Sequence, residues 1–379
     1  DASLRDVTIE TKRERVGAGI EITTESPWSY SFDVRRDDKE GSKRGGGAYY
    51  FRAAQLVEPV DYTTDEIDAS VVYNWNKWQA SVNYYASAFS NNDESLTWEN
   101  AFNPIVPGAD EGQLAMPPDN EFQQLTLSAA YDFNARNHLS GEFAAGRMKQ
   151  DEKLLQATVN PLLVVPALPA ETADAEIETT NARLKFVSLP TDKFRLTASY
   201  LYDERDNKTE QLLYDWVTTD AFLNAQRSNL PYSYTRSSLA FKGDYEYTRG
   251  TRLGVGLERD KRERTFQEVE ETDENTLWGT VSVRNIENLF VELKLAFSER
   301  EASSYEAVPE ISPPQNPLMR KYNMADRDRQ SLKLYTNYTP DPYYSFGVGF
   351  EAAYNDYDNS ALGLTESSDS AIDLSLIHI

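Results

Sequence analysis

Apolar and polar residues alternate along most of the chain, in segments of about ten residues. This period of two is typical of a β-strand with one apolar face, because successive side chains of a strand point to opposite sides. The alternation is clear in 125–133, 194–202 and 289–297, and about thirteen such segments can be counted. The longest apolar stretch, 161–170, contains three prolines and is too short for a transmembrane helix. The pattern therefore predicts an all-β protein.

Short turns alternate with long polar connections between these segments. The short turns are predicted near 25–27, 76–77, 134–137, 190–193, 249–250, 285–288 and 340–342. The long connections are predicted at 39–63, 90–120, 148–176, 205–232 and 300–326. An outer-membrane barrel has this asymmetry, with short periplasmic turns and long extracellular loops, whereas a soluble β-sandwich mixes its loop lengths. The spacing predicts a transmembrane antiparallel up-and-down β-barrel.

Aromatic residues cluster within a few residues of the short turns. Side chains with an apolar body and a polar edge prefer the membrane interface, so we predict an aromatic girdle at this end of the strands. Its members are Trp28, Trp75, Trp78, Phe133, Phe194, Tyr247 and Phe346. The alternative is that they are ordinary core aromatics, which would not need to gather at the same end of every hairpin.

The alternate positions of the strands are polar and often charged. A lysine or arginine facing lipid at the middle of the bilayer costs about 2–4 kcal/mol, so this face must point into the lumen. The lumen-facing residues predicted to contact a partner are Arg183, Lys185, Arg195, Glu292, Lys294 and Lys333. A lumen this polar is filled by water or by a polar partner.

The composition excludes several classes of function. The chain has 38 Lys and Arg against 62 Asp and Glu, a formal net charge of −24, which argues against nucleic acid as a partner. Without cysteine it has no disulfide, Cys-ligated zinc, iron–sulfur cluster, c-type haem attachment or catalytic thiol of its own. It has two histidines, and His138, at the start of a predicted strand, is interpreted as an interfacial residue rather than a ligand.

Three further motifs carry weak signals. The glycine-rich segment 41–47 (GSKRGGG) lacks the phosphate-loop spacing and is predicted to be a flexible loop. Acidic clusters at 203–206, 326–328 and 356–358 have the oxygen ligands that calcium uses, but solvated loop charge is the simpler interpretation. Arg259, Arg262 and Arg264 alternate with acids, as in a salt-bridge ladder or a partner contact at the barrel rim.

Several stretches along the chain are more distinctive than the strand pattern itself. They are 11–19 (TKRERVGAG), 83–91 (NYYASAFSN), 116–133 (MPPDNEFQQLTLSAAYDF), 146–152 (GRMKQDE), 256–279 (GLERDKRERTFQEVEETDENTLWG), 298–305 (SEREASSY), 316–329 (NPLMRKYNMADRDR) and 354–364 (YNDYDNSALGL). In this order they resemble the MtrB/PioB family of decahaem-associated outer-membrane proteins. The resemblance implies a barrel of more than twenty strands in the bacterial outer membrane. It would sheathe a periplasmic multihaem c-type cytochrome that carries electrons to a multihaem partner on the outer surface. The barrel would contact outer-membrane lipid, hold no cofactor itself and not be an enzyme.

The chain departs from the family pattern in length. About thirteen strands are roughly half a barrel, which is compatible with an open curved sheet, and the N-terminal Cys-x-x-Cys pair of some members is absent. The last six residues, 374–379 (LSLIHI), can be encoded by a transposon end that is used in sequencing adapters. We therefore expect 1–373 to be a single partial barrel, an internal fragment, and 374–379 to be adapter read-through. An ordinary short hydrophobic tail is the alternative.

Two functions remain open on the sequence. The first is a sheath for the cytochrome, and it depends chiefly on the resemblance. The second is a general porin or ligand transporter with a water-filled lumen, because both need a polar interior. An outer-membrane protease or lipase is disfavoured, since no set of histidine, serine and acid stands out.

Overall fold

The computed structural model describes residues 6–49, 52–102, 106–218, 220–306, 316–357 and 360–378. Within these ranges the regular secondary structure consists of β-strands alone. In chain order they are β1 (Thr11–Thr23), β2 (Trp28–Tyr49), β3 (Arg52–Trp75), β4 (Trp78–Asn91), β5 (Ser95–Glu99), β6 (Glu111–Ala115), β7 (Asn120–Asn134), β8 (Asn137–Gln150), β9 (Ala175–Thr191), β10 (Phe194–Asn207), β11 (Leu213–Tyr214), β12 (Val217–Thr218), β13 (Phe222–Leu223), β14 (Arg227–Ser228), β15 (Tyr234–Thr248), β16 (Thr251–Arg264), β17 (Glu271–Ile286), β18 (Leu289–Ala302), β19 (Met319–Arg320), β20 (Arg327–Asp341), β21 (Tyr344–Asp356), β22 (Leu362–Gly363) and β23 (Glu366–His378).

One large antiparallel sheet contains all the long strands. Among the described residues it has 15 strands in the order β1-β2-β3-β4-β7-β8-β9-β10-β15-β16-β17-β18-β20-β21-β23, so each long strand pairs with the next one along the chain. The strands β1 and β23 lie at its two edges and, within the described ranges, do not pair with each other. The all-β, up-and-down antiparallel fold is confirmed, as an open sheet.

The sheet has more strands than the sequence pattern indicates. The last one, β23, is polar over most of its first half, so its alternation shows only in Ile372, Leu374 and Leu376. It pairs with β21, placing Leu374 opposite Val348 and Leu376 opposite Phe346. The structure thus continues the sheet into the tail, while the origin of 374–379 stays a prediction.

The short turns lie at one end of the sheet, near the predicted positions. Those between β3 and β4, β15 and β16, and β17 and β18 contain two residues each. Asn76, Gly250 and Asn288 adopt positive φ values of 52°, 92° and 60°. Asparagine and glycine tolerate this left-handed conformation, which two-residue hairpins require. The turn chemistry therefore fixes the register of these hairpins.

The predicted long connection at 39–63 is wrong. Here β2 continues to Tyr49 and β3 begins at Arg52, with Lys43 opposite Glu58 in the ladder. The GSKRGGG segment accordingly lies in a strand rather than in a flexible loop. Beyond the membrane both faces of a strand meet water, so pairing continues there without the apolar alternation that sequence reasoning needs. The other predicted connections fall between long strands, and two of them, 90–120 and 205–232, contain short strand pairs.

Candidate functional site

The register divides every long strand between two faces. Directly opposed residues of an antiparallel pair point to the same side of the sheet. One row joins Val71, Val82, Leu127, Phe143 and Ala182 across five strands. The neighbouring positions form another row, which runs Ser81, Ser128, Glu142, Arg183 and Leu201. The first row belongs to a continuous apolar face, and the second belongs to a polar and charged face.

The apolar face is open to its surroundings. Leu127 is 42% exposed, Phe143 45% and Leu257 57%, although a water-soluble protein would bury such side chains. Only eight apolar residues are buried among those the structure describes, and several lie in loops. A sheet with a broad exposed apolar face needs an apolar solvent, which a bilayer supplies.

The predicted aromatic girdle lies on this apolar face, at the short-turn end. Trp28 contacts Tyr73 with ring centroids 4.8 Å apart, and Trp78 contacts Tyr131 at 4.4 Å. Trp75 is directly opposite Trp78, and Phe194 is opposite Tyr245. The remaining members Phe133, Tyr247 and Phe346 also stand on this face, between 44% and 63% exposed.

Charged pairs mark the other border of the apolar face. Arg36 bonds Asp65 (Nη2–Oδ2 2.6 Å), Arg147 bonds Glu176 (Nη2–Oε2 2.5 Å) and Arg259 bonds Asp273 (Nη2–Oδ2 2.5 Å), all toward the long-loop end. Along β4 the apolar positions run from Trp78 to Ala88. At about 3.4 Å per residue and a tilt of about 40°, they span about 26 Å, close to the apolar band of about 25 Å in outer-membrane barrels.

All six predicted luminal residues lie on the polar face, but the structure does not bring them together. Arg183 and Lys185 of β9 line a cavity of about 520 Å³ with Glu142. Arg195 of β10 is opposite Asp244, which Lys242 already contacts (Nζ–Oδ1 3.1 Å).

The other three predicted residues lie farther along the sheet. Lys294 and Lys333 are directly opposed, and Glu292 is opposite Tyr335. Lys333 pairs with Glu351 (Nζ–Oε1 2.7 Å), and the Lys294 ammonium lies 4.8 Å from the centre of the Trp278 ring. Within the described ranges, Arg183, Lys185, Arg195, Glu292 and Lys294 have no opposite charge within 4.0 Å.

The comparisons agree with this geometry. The family model described as "Putative outer membrane beta-barrel porin, MtrB/PioB" matches residues 1–378. The chain is also 33% identical over 377 residues to the Outer membrane protein MtrB of Shewanella baltica (strain OS185), covering 100% of this chain and 53% of that protein. The chain belongs to the MtrB/PioB family. It is an outer-membrane β-barrel protein, and it spans about half the length of the relative it matches.

Solved structures show the same fold at low sequence identity. The FrpB iron transporter of Neisseria meningitidis (F5-1 variant) is 12% identical with a TM-score of 0.59, over 96% of this chain and 58% of that one. The alcaligin outer-membrane receptor FauA of Bordetella pertussis is 10% identical with a TM-score of 0.57, over 96% and 56%. Both likenesses concern the architecture alone. The described residues contain no helix that is long and apolar enough to cross a membrane.

Alternation separates the acidic clusters of this MtrB/PioB chain. Asp203 lies on the polar face opposite Arg236. Glu204 and Asp206 occupy the alternate positions of β10 and so point to the outward side. Asp358 lies outside the described residues. No group of three His, Asp or Glu residues in the described part of the chain is arranged to hold a metal ion.

The structure also shows the contact that His138 makes and the faces on which the arginines of the predicted ladder lie. The His138 Nδ1 atom lies 2.8 Å from Asp132 Oδ1, on a partly exposed side chain near a short turn. Arg259 points outward, whereas Arg262 and Arg264 belong to the polar face. The predicted single ladder is therefore two separate sets of contacts.

Sequence reasoning missed an arginine-lined cavity of about 680 Å³ at the long-loop end of the polar face. Its arginines are Arg236, Arg262, Arg264, Arg300, Arg327 and Arg329. Arginines two positions apart, as at 262 and 264 or at 327 and 329, are the signal that could have found it. Which strands lie side by side, however, is a property of the sheet and not of any one segment.

Proposed function

We propose that this chain forms part of a barrel wall that houses a periplasmic multihaem c-type cytochrome and positions it for electron transfer across the outer membrane. The observation that carries the proposal is a set of luminal charges that form no ion pair within 4.0 Å in the described part of the chain, namely Arg183, Lys185, Arg195, Glu292 and Lys294. Charged groups that a protein does not pair internally are available to a polar partner. The family resemblance gives the partner its identity as a multihaem cytochrome.

The proposed mechanism is physical rather than chemical. The apolar face keeps the partner out of contact with lipid, while the polar face holds the cytochrome and sets its depth. Electrons would pass between haems of the cytochrome, and then to a multihaem partner that meets the long loops at the outer surface. Since the chain contains no cysteine, we propose that it binds no c-type haem. We also propose that it carries no cofactor and is not an enzyme, because the partner's haems would carry the electrons.

A porin or ligand transporter is the second candidate. The matching family description contains the word porin, and the polar face could equally line a water-filled channel. In that case the unpaired luminal charges would act on ions or solutes instead of on a protein.

The deciding experiment is a haem spectrum of the protein purified from its native outer membrane. The sheath proposal expects a c-type haem signal that co-migrates with the barrel at many haems per chain. A colourless barrel that conducts ions in a planar bilayer would instead support the porin.

A charge-removal series tests the luminal contacts directly. The triple variant Arg183→Ala, Lys185→Ala and Arg195→Ala should release the cytochrome at lower salt than the unchanged protein does. The matched control removes three positive charges from the outward face, with Lys12→Ala, Lys149→Ala and Lys208→Ala. Equal haem retention in the two triple variants would count against contacts at these luminal positions.

A further inference from the structure

The arginine pocket is a concentration of positive charge in an acidic chain. It lies where the long-loop ends of β15, β16, β17, β18, β20, β21 and β23 meet on the polar face, beside the loop residues Tyr322 and Asn323. Six arginines and four acids line it, the acids being Glu258, Asp260, Glu274 and Asp369. The lining thus has a formal charge of +2, whereas the whole chain has −24.

Two pairs of these arginines oppose each other directly. Arg236 is the cross-strand partner of Arg262, and Arg300 is the partner of Arg327. Like charges at directly opposed positions destabilise a sheet. Strand pairing alone therefore gives no reason for arginine at all four positions, whereas a bound anion would offset their repulsion.

The acids of the pocket neutralise only half of its arginines. Asp260 bridges the first pair, with Oδ2 2.7 Å from Arg236 Nε and Oδ1 2.9 Å from Arg262 Nε. Glu274 binds Arg327 (Nη2–Oε2 2.8 Å).

The other three arginines contact neutral acceptors. Arg264 donates to Thr272 Oγ1 (3.0 Å) and Arg329 to Asn355 Oδ1 (3.2 Å). Arg300 donates to the backbone carbonyls of Tyr322, Asn323 and Ala325 at 2.7, 3.2 and 2.8 Å. Among the described residues none of these three has a carboxylate within 4.0 Å.

Burial strengthens the need for a further hydrogen-bond acceptor in the pocket, because a buried N–H group without a partner is destabilising. The Arg264 Nη1 and Arg327 Nε atoms are buried without a hydrogen-bond acceptor in the described structure. Arg300 lies beyond the apolar band, since its outward neighbours Glu299 and Glu301 are charged. Burial, together with the charge of Arg327, lowers the pKa of Arg300 to about 10. It remains a cation at neutral pH, poorly hydrated and facing a cavity.

We propose that this arginine pocket is a carboxylate-binding site, which holds acidic groups of the protein that occupies the lumen. Guanidinium groups bind carboxylates through paired hydrogen bonds, and a partly desolvated site strengthens them. The pocket faces the lumen near its outer mouth, so the occupant would be fixed at the end from which electrons leave or enter. That the occupant is a cytochrome rests on the proposed function, whereas the affinity for carboxylate does not.

The carboxylates of such a partner have two sources, acidic side chains and haem propionates, and two probes separate them. Hexaglutamate represents the side chains, with hexaglutamine as its uncharged control. A haem-bearing peptide with free propionates represents the second source, with its propionate esters as the control. Binding to the intact barrel freed of cytochrome is measured by calorimetry at constant ionic strength.

The test variant is Arg264→Gln with Arg329→Gln, which keeps hydrogen-bond donors and removes two charges that no acid neutralises. Its matched control is Arg259→Gln, on the outward face of β16. We expect the charged probe to bind the unchanged protein and the control, and to bind the double variant about tenfold more weakly. We also expect the double variant to release its cytochrome at lower salt.

Each outcome has a separate meaning. If neither charged probe binds better than its control, the carboxylate site is overturned. If a probe binds but cytochrome release is the same in the double variant and in Arg259→Gln, the role in holding the luminal partner is overturned. If a probe binds and the native barrel carries no haem, the proposed function fails while the carboxylate chemistry stands.

Discussion

The two faces of the sheet differ in the residues that they expose, although the same strands form both. One face exposes apolar side chains, and the other exposes polar and charged side chains. On β7 the outward positions Leu125 and Leu127 are exposed and apolar, whereas the alternate positions Thr126 and Ser128 lie on the polar face. An exposed leucine is unfavourable in water by about 25 cal/mol for each Å² of apolar surface, but it is favourable in lipid. Exposure therefore has no fixed meaning in this protein until the solvent of each face is known.

The largest expected effect comes from placing the same charge on each face. Leu127→Arg puts a cation on the outward face within the apolar band, and should destabilise the intact protein in lipid vesicles by about 2–4 kcal/mol. Ser128→Arg, one residue away on the luminal side, should cost far less. Guanidinium titration of folded protein in vesicles measures both. Equal losses would show that the two faces are not assigned correctly.

Packing differs between the faces as well. A Cβ atom at Gly256 would lie 2.3 Å from Trp278 Cζ2 on the luminal side, whereas one at Gly279, which faces outward, would meet only the Gly254 carbonyl at 3.8 Å. Gly256→Ala should therefore displace the Trp278 ring and destabilise the fold by about 1–3 kcal/mol. Gly279→Ala should be nearly neutral in the same titration. A neutral Gly256→Ala would mean that the ring moves freely.

The aromatic girdle should make a smaller contribution to the free energy of unfolding, and this contribution should depend on position. Trp78→Ala removes the contact with Tyr131, and should cost about 0.5–1.5 kcal/mol beyond the lost apolar area. Tyr322→Ala, in the loop before β20, is the control and should leave stability unchanged. Lipids brominated near the headgroup should quench tryptophan fluorescence less in Trp78→Ala than in the unchanged protein. Unaltered quenching would place Trp78 away from the interface.

The smallest effect concerns acid stability at the long-loop end. Hydrogen bonds from Arg13 and Arg15 lower the pKa of Asp37 to about 2. A lowered carboxyl pKa stabilises the fold above the unfolded value of about 4, and that stabilisation is lost as the pH falls from about 4 through about 2.

One carboxylate on each face can be replaced to compare the pH dependence of unfolding that each contributes. Asp37→Asn should flatten the pH dependence of unfolding between about pH 4 and pH 2. Asp65, on the outward face, also has a lowered pKa because of Arg36, but its side chain is more exposed. Asp65→Asn should therefore flatten the same curve less. A reversed order would remove the distinction between the two faces at this end.

Much of the fold could be predicted from the sequence, because one face of each strand must match lipid. The alternation of Leu125, Leu127 and Ala129 exists for that reason, and Asn76 and Gly250 mark tight turns by their tolerance of positive φ. Where the strands leave the membrane the constraint ends. The segment 39–63 therefore looked like a loop, although backbone pairing extends β2 and β3 through it.

The luminal sites could be predicted only in part. Alternation was enough to place Arg183 and Lys333 on the polar face. It could not show that Lys333 is paired with Glu351, or that Arg236, Arg300 and Arg329 lie around one cavity. Those facts depend on the register between neighbouring strands and on side-chain conformation, and the alternation within one strand records neither.

The long strands follow one another in the sheet in the same order as in the chain, from β1 to β23. Changes in a connecting loop therefore need not affect the pairing of the strands. A strand needs only its sequence neighbours, so the length of a connection does not alter which strands pair. Doubling a flexible loop costs only about 0.6 kcal/mol of closure entropy. The connections at 92–119 and 208–233 can therefore lengthen, shorten or receive an inserted domain while the strands keep their register. Diversity in the long connections is thus open to natural variation and to engineering.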